Sequence, residues 1–151
     1  MRIILFGILA ALGIGASVLY QDTAEPCNGP LETKTLSIGG EQIITEIARM
    51  PAERRCGLSG RKGLDSGEGM LFVFKEAKRH GIWMKGMRFP IDIIWLDADG
   101  RVADIARNVS ADSYPRIFRP DRPAYFVLEV AAGAARELSL SVGTTISGID
   151  I

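Results

Sequence analysis

The chain predicts a mainly β, α+β domain of antiparallel strands with two short helices, and three observations carry that prediction. Short apolar runs of five to eight residues recur between turn signals, too short for helices and rich in β-branched and aromatic residues. Two of the turn signals, Gly39-Gly40 and Asp97-Ala98-Asp99-Gly100, are hairpin sequences. Helical signals are confined to two brief stretches, one opened by Pro51 and one rich in alanine after Val130.

Taken in order, residues 1–20 form an N-terminal segment in which Arg2 is the only charge and Ile3 to Tyr20 is apolar except for Ser17. Eighteen such residues stand between a secretory core and a spanning helix. The segment is therefore a signal peptide or a membrane anchor, and either one exports the domain to a periplasmic or other extracytoplasmic space. Residues 21–30 are a linker containing Pro26, Gly29 and Pro30, and residues 31–151 are the β-rich domain.

Within the domain, Leu31–Ile38 and Glu41–Ala48 read as strands around the glycine pair. Pro51–Leu58 reads as a helix, with Glu53 in its first turn. Gly69–Phe74 is an apolar strand, and Lys75–His80 is a polar turn or a single helical turn. Ile82–Lys85 resumes the apolar pattern. Pro90 opens the strand Ile91–Leu96, whose partner runs from Arg101 to Val109. Ser110–Pro123 is a long polar loop with Arg116, Arg119 and Arg122 at every third residue; it either covers a site or is a solvated connection. Ala124–Val130 is a strand with Phe126, Leu128 and Val130 facing the core, and Tyr125 and Glu129 exposed to a cavity or to solvent. A helix over Ala131–Leu140 and a last strand over Thr144–Ile149 complete the domain.

Composition excludes several functions. After the first 20 residues there are 17 basic and 18 acidic side chains, with no Lys/Arg run, so no nucleic-acid partner is expected. The glycine-rich loop Arg61–Glu68 lacks a G-K-[ST] ending and precedes a strand, unlike a phosphate-binding loop. No G-x-S-x-G elbow surrounds a serine, and the lone His80 sits in a polar turn, so no catalytic residue is assigned. Two cysteines and one histidine do not complete a zinc site, and no metal or cofactor is expected. Without a C-x-x-C motif, Cys27 and Cys56 are candidates for a structural disulfide, as an exported protein allows.

The candidate pocket is built from isolated polar groups among apolar ones: Trp83, Lys85, Asp92, Trp95, Tyr125, Glu129 and Arg54. In a strand Asp92 lies on one face with Ile94 and Leu96, opposite Ile91, Ile93 and Trp95. A carboxylate there needs a partner, since burying it alone is costly. Either Lys85 pairs with it, or it caps loop N–H groups, or it forms a polar pocket floor. Arg54, on the first helix, by itself reads as solvated surface.

Five motifs occur in order: Arg54, Gly57 and Leu58; Gly69 to Phe72 with Phe74; Trp83 to Lys85; Pro90 to Asp97 with Gly100; and Leu128, Glu129 and Gly133. Over Thr33 to Ile149 the chain thereby resembles the domain-of-unknown-function 192 family. The resemblance implies a compact, mostly β, partly barrel-like domain with short helices, and makes Arg54 a candidate to pair with Glu129 or Asp92, but it delivers no function. Two positions depart from the family pattern: Gly86-Met87 stands where Asn-Thr is common, and Ser59 where Met is usual.

Three functional readings are compatible with these residues. One is an exported accessory domain binding a small ligand or an envelope component. The second is an enzyme using Lys85, Asp92 and Glu129. The third is a structural envelope module that binds other proteins, held to the membrane by residues 3–20 if these are uncleaved.

Overall fold

The structure, a computed structural model, describes residues 29–150. Strands β1 (Thr33–Ile38) and β2 (Glu41–Ala48) pair antiparallel across a two-residue turn in which Gly39 and Gly40 have φ of 60° and 97°. Two consecutive positive φ values define the hairpin turn that matches strand twist, and glycine adopts them without strain. Helix α1 (Pro51–Cys56) comes next, with Pro51 in its first turn, where the missing N–H costs nothing. The Glu53 carboxylate accepts the N–H groups of Arg49 and Met50, each at 2.7 Å, and so satisfies donors at the helix start.

Strand β3 (Glu68–Lys78) is longer than the apolar run predicts, extending through the segment expected to turn at Lys75. Its register on β8 (Ala124–Ala131) shifts between Val73 and Lys78. A bulge there lets the polar residues Lys75 to Lys78 continue the strand while exposed. The two-residue strands β4 (Ile82–Trp83) and β7 (Ile117–Phe118) pair as a separate ribbon. The loop expected over Ser110–Pro123 is therefore partly ordered by strand pairing, with a 3-10 turn at Ala111–Ser113. Strands β5 (Ile91–Leu96) and β6 (Val102–Val109) form the second predicted hairpin, closed by the Asp97 carboxylate accepting the N–H groups of Asp99 and Arg101.

Helix α2 (Ala134–Glu137) and strand β9 (Ile146–Ser147) are shorter than the sequence patterns suggest, as α1 is, because flanking residues take up turns. The seven-stranded sheet has the order β6-β5-β8-β3-β2-β1-β9. Every pairing is antiparallel except β2 with β3, which corrects the wholly antiparallel expectation. A parallel pair needs a crossover, and α1 with its following loop supplies it.

The sheet curls into a half-barrel. Its outermost strands meet at one end, where Arg101 bridges Thr145, Val102 donates to the Thr144 carbonyl at 2.8 Å, and Ile146 donates to the Gly100 carbonyl at 2.9 Å. Gly100 has a φ of 72°, and a Cβ on it would stand 2.5 Å from the Ile146 carbonyl oxygen, so the closure requires glycine there.

Both faces of the sheet are covered. One apolar cluster contains Leu36, Ile38, Leu71, Ile94, Leu96, Leu128 and Ile146. The other contains Leu58, Met70, Phe72, Ile93, Trp95 and Val127. Among the described residues no helix is long and apolar enough to cross a membrane. Residues 3–20, expected to export or anchor the domain, lie outside the described residues.

Candidate functional site

Strand β8 lies between β5 and β3, and its alternation sends side chains into both clusters. Glu129 pairs across the sheet with Met70 on β3 and Ile93 on β5, so all three share the face of the second cluster. Of the two expectations for Glu129, a cavity or solvent, the structure shows the cavity, and only 4% of the residue is accessible. The sequence alternation suggests one core face, but α1, its following loop and the β4–β7 ribbon cover the second face as well.

Glu129 lines a cavity of about 220 Å³ walled by Arg54, Arg55 and Leu58 near α1, by Phe72 and Phe74 on β3, and by Trp83 on β4. No hydrogen bond or ion pair to its carboxyl exists among the described residues. No fully enclosed side-chain oxygen or nitrogen among these residues lacks a partner, so the accessible sliver of Glu129 includes its oxygens, at the cavity floor. Burial alone raises its pKa to about 8, because the charged form loses its hydration with nothing in exchange. At neutral pH the group is mostly a carboxylic acid, a hydrogen-bond donor.

Arg54 shares the cavity but does not pair with either predicted carboxylate. Its Nη1 donates to the carbonyls of Arg49 and Val73, the latter at 3.0 Å, and its guanidinium stands 5.0 Å from the Phe74 ring centre. The other neighbour of the Phe74 ring is His80, stacked at 3.6 Å between centroids. His80 is half-buried rather than a surface residue, and burial is the main reason its pKa is lowered.

Asp92 is fully buried, on the opposite face of the sheet from Glu129. It accepts the N–H of Asn108 at 2.7 Å on one oxygen, and the N–H groups of Gly133 and Ala135 at 3.0 and 2.9 Å on the other. Two of these donors open α2, and the third belongs to the irregular pairing of β6 with β5, where Asn108 takes a φ of 50°. Of the readings left open for Asp92, capping N–H groups is what the structure shows; the ion pair with Lys85 is absent. Lys85 is exposed, with its Nζ 5.8 Å from the Trp83 ring centre.

The candidate residues therefore divide. Arg54, Trp83 and Glu129 meet in one cavity, and Lys85 stands outside on the Trp83 ring. Trp95 is buried on the Glu129 face, its indole donating to the His80 carbonyl at 2.9 Å, but it does not line that cavity. Tyr125 is half-buried against Phe126 at 6.5 Å and also lies outside it. Sequence reasoning misses Phe72, Phe74, Leu58 and Arg55, all of which line the cavity. Period-two spacing from Met70, the partner of Glu129, is the signal that gives Phe72 and Phe74.

Among the described residues no group of three or more potential ligands could hold a metal ion. Cys56 lines the cavity near the end of α1 and is not without a partner, while Cys27, its candidate in the expected disulfide, lies outside the described residues.

The model of the domain-of-unknown-function 192 family, described as Uncharacterized ACR, matches residues 34–148. No curated protein matches the chain. Two similar crystal structures share the fold. One is a candidate transcription regulator from Sinorhizobium meliloti 1021, 27% identical, with a TM-score of 0.76 over 82% of this chain and 99% of that one. The other is a protein of unknown function from Novosphingobium aromaticivorans DSM 12444, 30% identical, with a TM-score of 0.70 over 78% of this chain and 86% of that one.

Proposed function

We propose, for a chain that belongs to the domain-of-unknown-function 192 family, that it is an exported accessory domain whose Glu129 cavity binds a small ligand. One observation carries the reading: the carboxyl group of the largely buried Glu129 opens onto a cavity floor and has no protein partner. Unpaired buried polar groups are costly, and they gather where a ligand supplies the missing partner. The aromatic wall of Phe72, Phe74 and Trp83 offers that ligand apolar contact. Export rests on the apolar residues 3–20, and a Cys27–Cys56 disulfide suits the same compartment.

The enzymatic alternative needs Lys85, Asp92 and Glu129 together. Asp92 is committed to three N–H groups on the far face, and Lys85 is exposed outside the cavity, so the three do not form an acid–base set. Nothing in this chain favours the regulatory description given to the Sinorhizobium protein. This chain has no basic excess, and its longest helix among the described residues spans six residues.

A thermal-shift screen of the detergent-solubilised full chain against sugars, amino acids, nucleotides and small organic acids tests the reading. A ligand at a hundred times its dissociation constant adds about 2.7 kcal/mol of stability. The expected hit disappears in a folded Glu129→Ala variant; a hit that survives this substitution places binding elsewhere.

A further inference from the structure

We infer that the cavity takes a small organic carboxylate with an apolar body, its anionic head held by the Glu129 carboxyl and the guanidinium groups of Arg54 and Arg55. The inference rests on the binding reading of this cavity and names its ligand class.

The charge of the lining decides the head group. Arg54, Arg55 and Glu129 are the charged residues of the lining with donors to spare, and Cys56 is already engaged. Both arginines come from α1. The strands on either side of Glu129 face it with the apolar Met70 and Ile93, and His80 stands behind the wall, stacked on Phe74. The bonds of Arg54 to protein carbonyls use Nη1 alone, which leaves Nη2 and Nε to serve a ligand. A cationic head would sit beside two guanidinium groups. A neutral head would leave the positive wall uncompensated. An anionic head meets donors from both sides, because a buried, protonated Glu129 offers an O–H and the arginines offer N–H groups in a planar fork. The rest of the lining, Leu58, Phe72, Phe74, Ile82, Trp83 and Met87, calls for an apolar body. At about 220 Å³ the cavity is smaller than a drug-sized site, so that body is compact.

Three probes with one ring and different heads test this: benzoate, benzamide and benzamidine. They are titrated calorimetrically into the full chain in detergent micelles, at about pH 6 and about pH 9.5, on either side of the Glu129 transition. Benzoate should bind at least about tenfold more tightly than the other two, the difference expected of a charge-assisted hydrogen bond. Its affinity should fall about tenfold per pH unit above the Glu129 pKa of about 8, as the donor proton is lost. Glu129→Gln, whose amide still donates, should keep benzoate binding and lose that pH dependence. Arg55→Gln, at an exposed position, should weaken benzoate alone.

Benzamide or benzamidine binding as tightly as benzoate, with the binding lost in Glu129→Ala, overturns the carboxylate assignment and leaves the binding site standing. An unchanged pH dependence in Glu129→Gln overturns the donor role of Glu129. No binding by any probe overturns the carboxylate inference, and the wider ligand screen then decides whether the cavity binds anything.

Discussion

Asp92 and Glu129 are buried on adjacent central strands, yet they point to opposite faces of one sheet, because Glu129 pairs with Ile93 and Asp92 with Val130. That one-residue offset separates two chemistries. Asp92 receives three backbone N–H groups, whereas Glu129 has no partner and faces a cavity.

Asp92→Asn should destabilise the domain by about 2–4 kcal/mol. The amide replaces one acceptor oxygen with a donor that opposes the N–H groups now bound, and it weakens the bonds that remain. Urea unfolding measures the effect. A midpoint unchanged from the parent would show that α2 and the irregular β6 pairing do not depend on this carboxylate.

Glu129 makes stability depend on pH with a definite sign. Its folded pKa of about 8 lies above the ordinary carboxylic value of 4.5, so the folded state holds the proton more tightly. The stabilisation is fully present below the unfolded pKa and is lost as pH rises from there through the folded pKa. The slope approaches about 1.4 kcal/mol per pH unit at its steepest. Glu129→Gln removes it, so the variant should gain on the parent as pH rises and surpass it in alkaline buffer. Taking the difference between the two proteins cancels the contribution of His80 at the acid end. Parallel stability profiles would mean that Glu129 is solvated or paired in solution.

Gly100→Ala should cost about 2–4 kcal/mol, because it combines an unfavourable positive φ with a backbone collision against Ile146. Amide exchange would localise the damage. Protection should fall at Val102 and Ile146, whose N–H groups bond across the closure. A loss spread evenly through the sheet would contradict this.

Lys85→Met should change stability by no more than about 0.5 kcal/mol, as expected for an exposed residue whose ammonium lies over one aromatic ring. A large loss on thermal unfolding would restore the ion pair that the sequence suggests.

Much of this architecture is legible in the sequence. The glycine pair, the Asp97–Gly100 turn and the apolar strands they join are local signals, and each produces the expected hairpin. The two faces of Ile91–Leu96 also emerge from alternation, as Ile94 and Leu96 enter one cluster and Ile93 and Trp95 the other. The illegible part is non-local. Alternation in Ala124–Val130 identifies two faces but not what covers each, so it leaves open whether Glu129 meets a cavity or solvent. The partners of Asp92 are main-chain N–H groups near Asn108 and Ala135, which carry no side-chain signature. The ribbon between Ile82–Trp83 and Ile117–Phe118 joins segments too short to register as strands until they meet.

The position of β8 has a kinetic meaning. Among the described strands it is the last but one in chain order, yet it occupies the middle of the sheet, between β3 and β5. Until it arrives, the β1–β2 hairpin with β3 and the β5–β6 hairpin are two fragments, each with an open edge. Their union must await a strand whose partner on β3 is far away in sequence, and such distant pairings slow folding. The same insertion that joins the two fragments carries Glu129 out of water, so the acid becomes hard to ionise at the step that unites the sheet.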